Sequence, residues 1–220
     1  MKFIPWDANY FNRGTAMRDC VIRALCASTL IGYKTLMKLF NKENEFMMGV
    51  GYGLSHGILR TEIDDFAKRT GIIEKIWGDD EYSNMLDKIG TTEDDTLGSF
   101  LENDMDEVME ARGISGNRGK RFVFLVRTPN ERNSDDPHYY HATSIIWHNN
   151  EWVCLDVDTI KQIQNSIPIW IYAVKKMAKP DSPIFYDNER KRIRGEWKNE
   201  IRKALSKEKG KTGRLRETPL

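Results

Sequence analysis

The stretch HATSIIWHNNEWVCLDVD, residues 141–158, contains two strand-like runs separated by a short turn. Each run is rich in β-branched and aromatic residues, and the HNN between them is typical of a tight hairpin. Antiparallel pairing across that turn places the start of the first strand beside the end of the second. We therefore expect His141 and Asp156 to be neighbours.

The sequence around this hairpin indicates the fold class. RFVFLVR at 121–127 and IPIWIYAV at 167–174 have the same strand composition. The first half of the chain instead has helical periodicity, and apolar residues recur at helical spacing within 20–30, 35–40, 59–67 and 97–109. Helices followed by a run of antiparallel strands predict the α+β class, with N-terminal helices packed on a C-terminal antiparallel β-sheet.

One cysteine occupies an unusual place in the first predicted helix. In MRDCVIRALCAS, residues 17–28, Cys20 directly follows Asp19, a good N-cap residue type. It then lies in the first helical turn, at the positive end of the helix dipole, where a thiolate is favoured over a thiol. We interpret Cys20 as a candidate nucleophile, with a buried structural cysteine as the alternative. Cys26, on the apolar face of the same helix, is predicted to pack in the core.

Composition limits the classes of protein that the chain can belong to. Its 220 residues are 40 % hydrophobic and carry a formal net charge of +1, which predicts one globular domain with an appendage. Three cysteines do not form a disulfide framework. The N-terminus does not resemble a signal peptide, and no apolar run approaches the roughly 18 residues that span a bilayer. We expect no membrane association, and a location in the host-cell cytoplasm or inside a virion.

A thiolate nucleophile needs a base, and the base needs a third group that holds its orientation. The hairpin supplies His141 as the base and Asp156 as the orienting acid, with Asp158 as the next candidate for that role. A zinc site is the alternative, because His138 and His141 form H-x-x-H near Cys154 and Asp156. That spacing is not the helical H-E-x-x-H of a zinc protease, so we expect no metal and no cofactor.

The order of these residues resembles the papain-like cysteine peptidase superfamily. Those enzymes place His and Asn about 130–150 residues after the cysteine, and here the gaps to His141 and Asp156 are 121 and 136 residues. RDCVIRAL followed by IGYKTLMKLF also resembles the opening of small phage and bacterial papain-like proteins. The resemblance covers about residues 12–175. It implies a papain-like fold and hydrolysis of a peptide or protein substrate through an acyl-enzyme.

One position departs from the papain-like pattern. Papain-type enzymes carry a Gln about six residues before the cysteine as an oxyanion donor, and this chain has Gly14 there. Asn12 and Asn9 are the candidates to replace it, beside the Cys20 backbone N–H. The predicted substrate-cleft residues are Asp19, Gly53 and His138. Two hypotheses remain: a thiol hydrolase, or a non-catalytic papain-like scaffold serving as a phage virion or host-interaction protein.

The C-terminal segment differs in charge from the rest of the chain. Residues 186–220 hold 12 Lys or Arg against 6 Asp or Glu, a net of +6, so the rest carries −5. An apolar residue recurs every four positions, at Ile193, Trp197, Ile201 and Leu205. We predict a peptidase domain over 1–178 and a basic amphipathic helix with a flexible tail over 179–220. The expected partner of the helix is a virion or host protein, with nucleic acid as the less supported alternative.

Overall fold

The computed structural model describes residues 1–6, 18–42, 54, 57–78, 96–115, 120–127, 140–156 and 160–192, together with 195 and 199. These residues form a mixed α+β fold with a six-stranded, mostly antiparallel sheet, which confirms the predicted class. The strands are β1 (Lys2–Pro5), β2 (Ile73–Trp77), β3 (Arg121–Arg127), β4 (His141–His148), β5 (Glu151–Asp156) and β6 (Ile167–Val174). The helices are α1 (Cys20–Thr29), α2 (Tyr33–Leu39), α3 (Arg60–Thr70), α4 (Leu97–Asn103), α5 (Met105–Ala111) and α6 (Ile160–Gln164), and residues 186–192 are also helical.

The sheet has the strand order β1-β5-β4-β3-β6-β2. β1 runs parallel to β5, and the other neighbouring strands are antiparallel. The inner strand β3 is buried on both faces: Phe122 and Phe124 belong to one core cluster, and Val123 and Leu125 belong to the other. A strand covered on both faces needs apolar side chains at consecutive positions, which explains why RFVFLVR does not alternate.

Helices cover both faces of the sheet. Apolar residues of α1, α2 and α3 form one core cluster against the sheet. Apolar residues of α4, α5 and α6 form the second cluster on the opposite face. α1 packs across β4, β3 and β5, so its first residue comes to the end of the sheet where β4 starts and β5 finishes. This packing brings the start of α1 to the predicted hairpin.

Several element boundaries differ from the sequence-based expectations. α1 ends at Thr29, one residue before the end of the helical periodicity within 20–30, because Leu30 takes a left-handed conformation with φ of 60°. Gly32 precedes the first residue of α2. The single helix expected within 97–109 is interrupted at Asp104, giving α4 and α5. β1, β2 and α6 had not been predicted.

The chain leaves the sheet after β6 and folds back over the end of α1. The Ala178 N–H donates to the Thr29 carbonyl, and the Tyr186 N–H donates to the Leu30 carbonyl, both at 2.9 Å. Tyr186 is buried, with its ring centroid 5.1 Å from that of Trp6. The start of the predicted appendage therefore packs on the domain, while the boundary at 178/179 stays a prediction. Its apolar stripe, Ile193, Trp197, Ile201 and Leu205, lies outside the described residues.

In the described part of the chain, no helix combines the length and the apolar character needed to cross a membrane.

Candidate active site

Cys20 is the first residue of α1, and its burial differs from that of the rest of the helix. The nine residues that follow it, up to Thr29, are all buried, whereas Cys20 is only partly buried. Ile22 and Leu25 are fully buried against the sheet and fix the rotation of the helix. The thiol therefore lies where the helix emerges from the core, which combines a fixed position with access from outside.

The β4–β5 hairpin brings His141 and Asp156 together. Asn149 and Asn150 both have positive φ, 51° and 62°, as a two-residue type I′ turn requires. His141 is the first residue of β4 and Asp156 the last of β5, so this turn puts them at the same end of the hairpin. The His141 Nε2 lies 2.8 Å from Asp156 Oδ2, and both side chains are almost fully buried. The ring is thus held by a carboxylate.

Cys20 and His141 line the same small cavity, and the interaction of the thiol with the ring contributes to the pKa of His141. Burial lowers the pKa of His141, but the charge and hydrogen bond of Asp156 and the hydrogen bond and charge of Cys20 outweigh burial. The pKa of His141 is therefore raised well above its ordinary value of 6.5, which favours an imidazolium beside the sulfur.

A cavity of about 10 Å³ lies among Trp6, Arg23, Leu155 and the three site residues, which is the lower limit for a single water. The Trp6 N–H also donates to the Asp156 carbonyl at 2.8 Å, so β1 supports the end of β5. Burial of the His141 and Asp156 side chains strengthens the electrostatic interaction between them.

Asp19 has a different environment from the one expected of a cleft residue. Its side chain is fully buried, with Oδ1 2.7 Å from Arg23 Nε and Oδ2 2.5 Å from the Tyr33 hydroxyl. It makes no side-chain cap to α1, although it occupies the N-cap position. Its carboxylate faces the protein interior, beneath the residue that carries the thiol.

The remaining predicted site residues lie outside the described residues, namely Asn9, Asn12, Gly53, His138 and the fallback acid Asp158. Among the residues that the structure describes, no three His, Cys, Asp or Glu side chains are grouped as a metal site would need. Cys154, which the zinc alternative used, is fully buried and contacts the Thr143 hydroxyl at 3.1 Å.

Sequence reasoning did not find four side chains near the site: Trp6, Arg23, Tyr33 and Tyr140. Arg23 had a detectable signal, because it is a charged residue inside an otherwise apolar helical stretch. Tyr140 donates to the Ile58 carbonyl, and its pKa is raised by burial and by the charge of Cys20. Trp6 has no distinguishing sequence pattern, because the pairing of β1 with β5 brings it near the site. Tyr140 directly precedes His141, but its contact with Ile58 has no signal in its own segment.

Comparisons with protein-family models, curated proteins and solved structures found no match to this chain.

Proposed function

We propose that the chain is a thiol hydrolase of the papain-like type, a cysteine peptidase or isopeptidase acting through an acyl-enzyme. The observation that carries the proposal is the grouping of Cys20, His141 and Asp156 around one small cavity, with 2.8 Å between His141 Nε2 and Asp156 Oδ2. These residue types are those of a nucleophile, a base and an orienting group. A papain-like fold is supported by a helix that begins at the cysteine and packs on the sheet carrying the other two residues.

The residues have distinct roles in the proposed reaction. The Cys20 sulfur attacks the carbonyl carbon of an amide, and the C–N bond breaks as His141 gives its proton to the leaving amine. A water then attacks the resulting thioester while His141 takes the proton from that water, releasing the acid and regenerating Cys20. Asp156 holds the ring in orientation and stabilises the imidazolium throughout.

The oxyanion that forms during both steps needs hydrogen-bond donors. The Cys20 backbone N–H, at the N-terminus of α1, is one donor of the correct type. The orientation of Asp19 supports this role for the Cys20 N–H, because the Asp19 carboxylate makes no cap to α1. Asn9 and Asn12 are proposed as the source of the second donor.

We propose a peptide or protein as the substrate, and the host-cell cytoplasm or the virion interior of a phage as the location. The basic segment that follows residue 186 is the proposed docking element for a virion or host protein. Its net charge of +6 also fits nucleic acid, in which case binding would weaken steeply with added salt.

A second candidate function is a non-catalytic papain-like scaffold that serves as a virion or host-interaction protein. The observation in its favour is Gly14, which stands where papain-type enzymes carry the oxyanion Gln. The two candidates differ in one measurable property, because only the hydrolase forms a covalent acyl intermediate on Cys20.

The proposal is tested by incubating the protein with a proteome-derived peptide library and identifying new peptide termini by mass spectrometry. We expect cleavage by the wild type and none by Cys20→Ala. Cys26→Ala is the matched control, because it makes the same substitution on the same helix at a buried thiol. Cleavage that persists in Cys20→Ala contradicts the nucleophile assignment. Absence of cleavage by the wild type, with tail-dependent binding to a partner, favours the scaffold.

A further inference from the structure

A buried polar network lies directly behind Cys20. The Asp19 carboxylate is fully buried, and each of its oxygens is bonded to a different partner. Oδ1 accepts from Arg23 Nε at 2.7 Å, and Oδ2 accepts from the Tyr33 hydroxyl at 2.5 Å. Arg23 is itself only 8 % exposed and Tyr33 only 1 % exposed, so the whole network is removed from solvent.

The network fixes the residue that immediately precedes the nucleophile. The Arg23 backbone N–H donates to the Asp19 carbonyl at 3.0 Å, so Arg23 holds Asp19 through both backbone and side chain. Tyr33 is the first residue of α2, which means that its hydroxyl ties the start of α1 to the start of α2. The position of Cys20 relative to the sheet therefore depends on a contact between two helices.

The free energy of folding does not explain why this buried network of charged and polar side chains is present. Removing two charges from water is costly, and a buried ion pair is commonly no more stabilising than apolar residues of similar volume. A normal N-cap aspartate would instead accept from N–H groups of the first turn. Here the side chain is buried in the core and makes no cap to the N–H groups of α1.

The network also extends to the cavity that Cys20 and His141 line. Arg23 lines the same small cavity as Cys20, His141 and Asp156. Its positive charge offsets that of Asp19, so the Asp19 carboxylate adds no unbalanced negative charge beside a developing thiolate. Burial and the charge of Asp19 raise the pKa of Tyr33, which keeps its hydroxyl protonated and able to donate.

We propose that Asp19, Arg23 and Tyr33 are positioning residues that hold the Cys20 sulfur in hydrogen-bonding contact with His141. The inference rests on the proposed function, because positioning matters only if the Cys20–His141 pair reacts. None of the three touches the substrate in this proposal. Their effect passes through the backbone at residues 19 and 20.

The test measures alkylation of Cys20 by iodoacetamide at about pH 6.5 and about pH 9, with the site identified by peptide mass spectrometry. An ordinary thiol, with a pKa of about 8.5, is almost entirely protonated at the lower pH and largely ionised at the higher pH. Reaction at the lower pH therefore reports the pairing with His141. Reaction at the higher pH reports access to the sulfur.

Tyr33→Phe is the test variant and Tyr172→Phe is its matched control. Tyr172 is also fully buried, and its hydroxyl also donates to an aspartate, Asp64, at 2.9 Å. We expect Tyr33→Phe to slow alkylation about tenfold at the lower pH, the size expected for loss of one hydrogen bond to a charged group. Its rate at the higher pH should stay close to that of wild type, and Tyr172→Phe should match wild type at both. Asp19→Asn, of nearly the same size, provides a second test if Tyr33→Phe does not fold.

Four outcomes distinguish a failure of the positioning role from a failure of the proposed function. Equal slowing of Tyr33→Phe at both pH values indicates a change of exposure and overturns the positioning role. Equal Cys20 alkylation rates in Tyr33→Phe and Tyr172→Phe also overturn the positioning role. An unchanged alkylation rate in folded Asp19→Asn overturns it too. If wild type is no faster than His141→Ala at the lower pH, the Cys20–His141 pair itself fails, and the proposed function fails with it.

Discussion

Replacing Asp156 by Asn should separate the charge of this residue from its hydrogen bond. The Asp156 side chain is 4 % exposed, and its Oδ2 lies 2.8 Å from His141 Nε2. An asparagine oxygen can still accept from Nε2–H, but the negative charge that stabilises the imidazolium is lost. A hydrogen bond to a charged group contributes about 1.5–3 kcal/mol and a neutral one about 1 kcal/mol. The difference of about 0.5–2 kcal/mol corresponds to a loss of about 2-fold to 30-fold in imidazolium–thiolate pairs.

The loss of imidazolium–thiolate pairs is measured as a lower rate of Cys20 alkylation by iodoacetamide at about pH 6.5. Asp156→Ala should be slower still, because it also leaves a buried ring N–H without that partner, at a further cost of about 1–3 kcal/mol. Asp65→Asn is the charge-matched control, since Asp65 is exposed on α3. A rate for Asp156→Asn equal to wild type, or for Asp156→Ala no lower than Asp156→Asn, would refute the role of Asp156.

Two further predictions concern the C-terminal segment. In urea titrations, a chain ending at residue 178 should have an unfolding free energy lower by about 2 kcal/mol or more than a chain ending at 192, because only the longer chain retains the buried Tyr186. Equal unfolding free energies in the two chains would contradict this. Burial raises the pKa of Glu189, against backbone hydrogen bonds from Thr35 and Lys34 that lower it. The folded state therefore binds the proton of the Glu189 carboxyl more tightly than the unfolded state does. The stabilisation that this proton gives the folded state is complete below the ordinary pKa of 4.5 and is lost as pH rises through the raised pKa. Glu189→Gln should consequently raise the unfolding free energy at neutral pH more than in acid, and the reverse order would contradict the shift.

The sequence predicted the hairpin well because its signals are local. The two asparagines at 149 and 150 allow the positive φ values that a type I′ turn needs, and strand composition is continuous on both sides. Once the turn is known, the proximity of His141 and Asp156 follows from antiparallel geometry. The start of α1 at Cys20 was predictable for a similar reason, since an N-cap residue and helical periodicity are neighbours in the chain.

The features that the sequence did not predict are β1 and the environments of Asp19 and Trp6. All three depend on contacts between distant segments. β1 is a four-residue strand that joins the sheet only through parallel pairing with β5, some 150 residues later. Asp19 has the sequence pattern of a helix cap, yet Arg23 and Tyr33 draw its side chain into the core, which local propensity does not express. Trp6 comes near the site through β1, so no motif within its own segment could have indicated it.

The central claim is that Cys20 forms an acyl-enzyme with the help of His141. The most direct measurement is the reaction with p-nitrophenyl acetate, followed by rapid-mixing absorbance and intact-protein mass spectrometry. Wild type should release one equivalent of p-nitrophenol in a burst, carry one acetyl group on Cys20, and then lose that group as water deacylates it. His141→Ala should acylate far more slowly. A wild type that shows no burst, an acetyl group on another residue, or an equal burst in His141→Ala would contradict the claim.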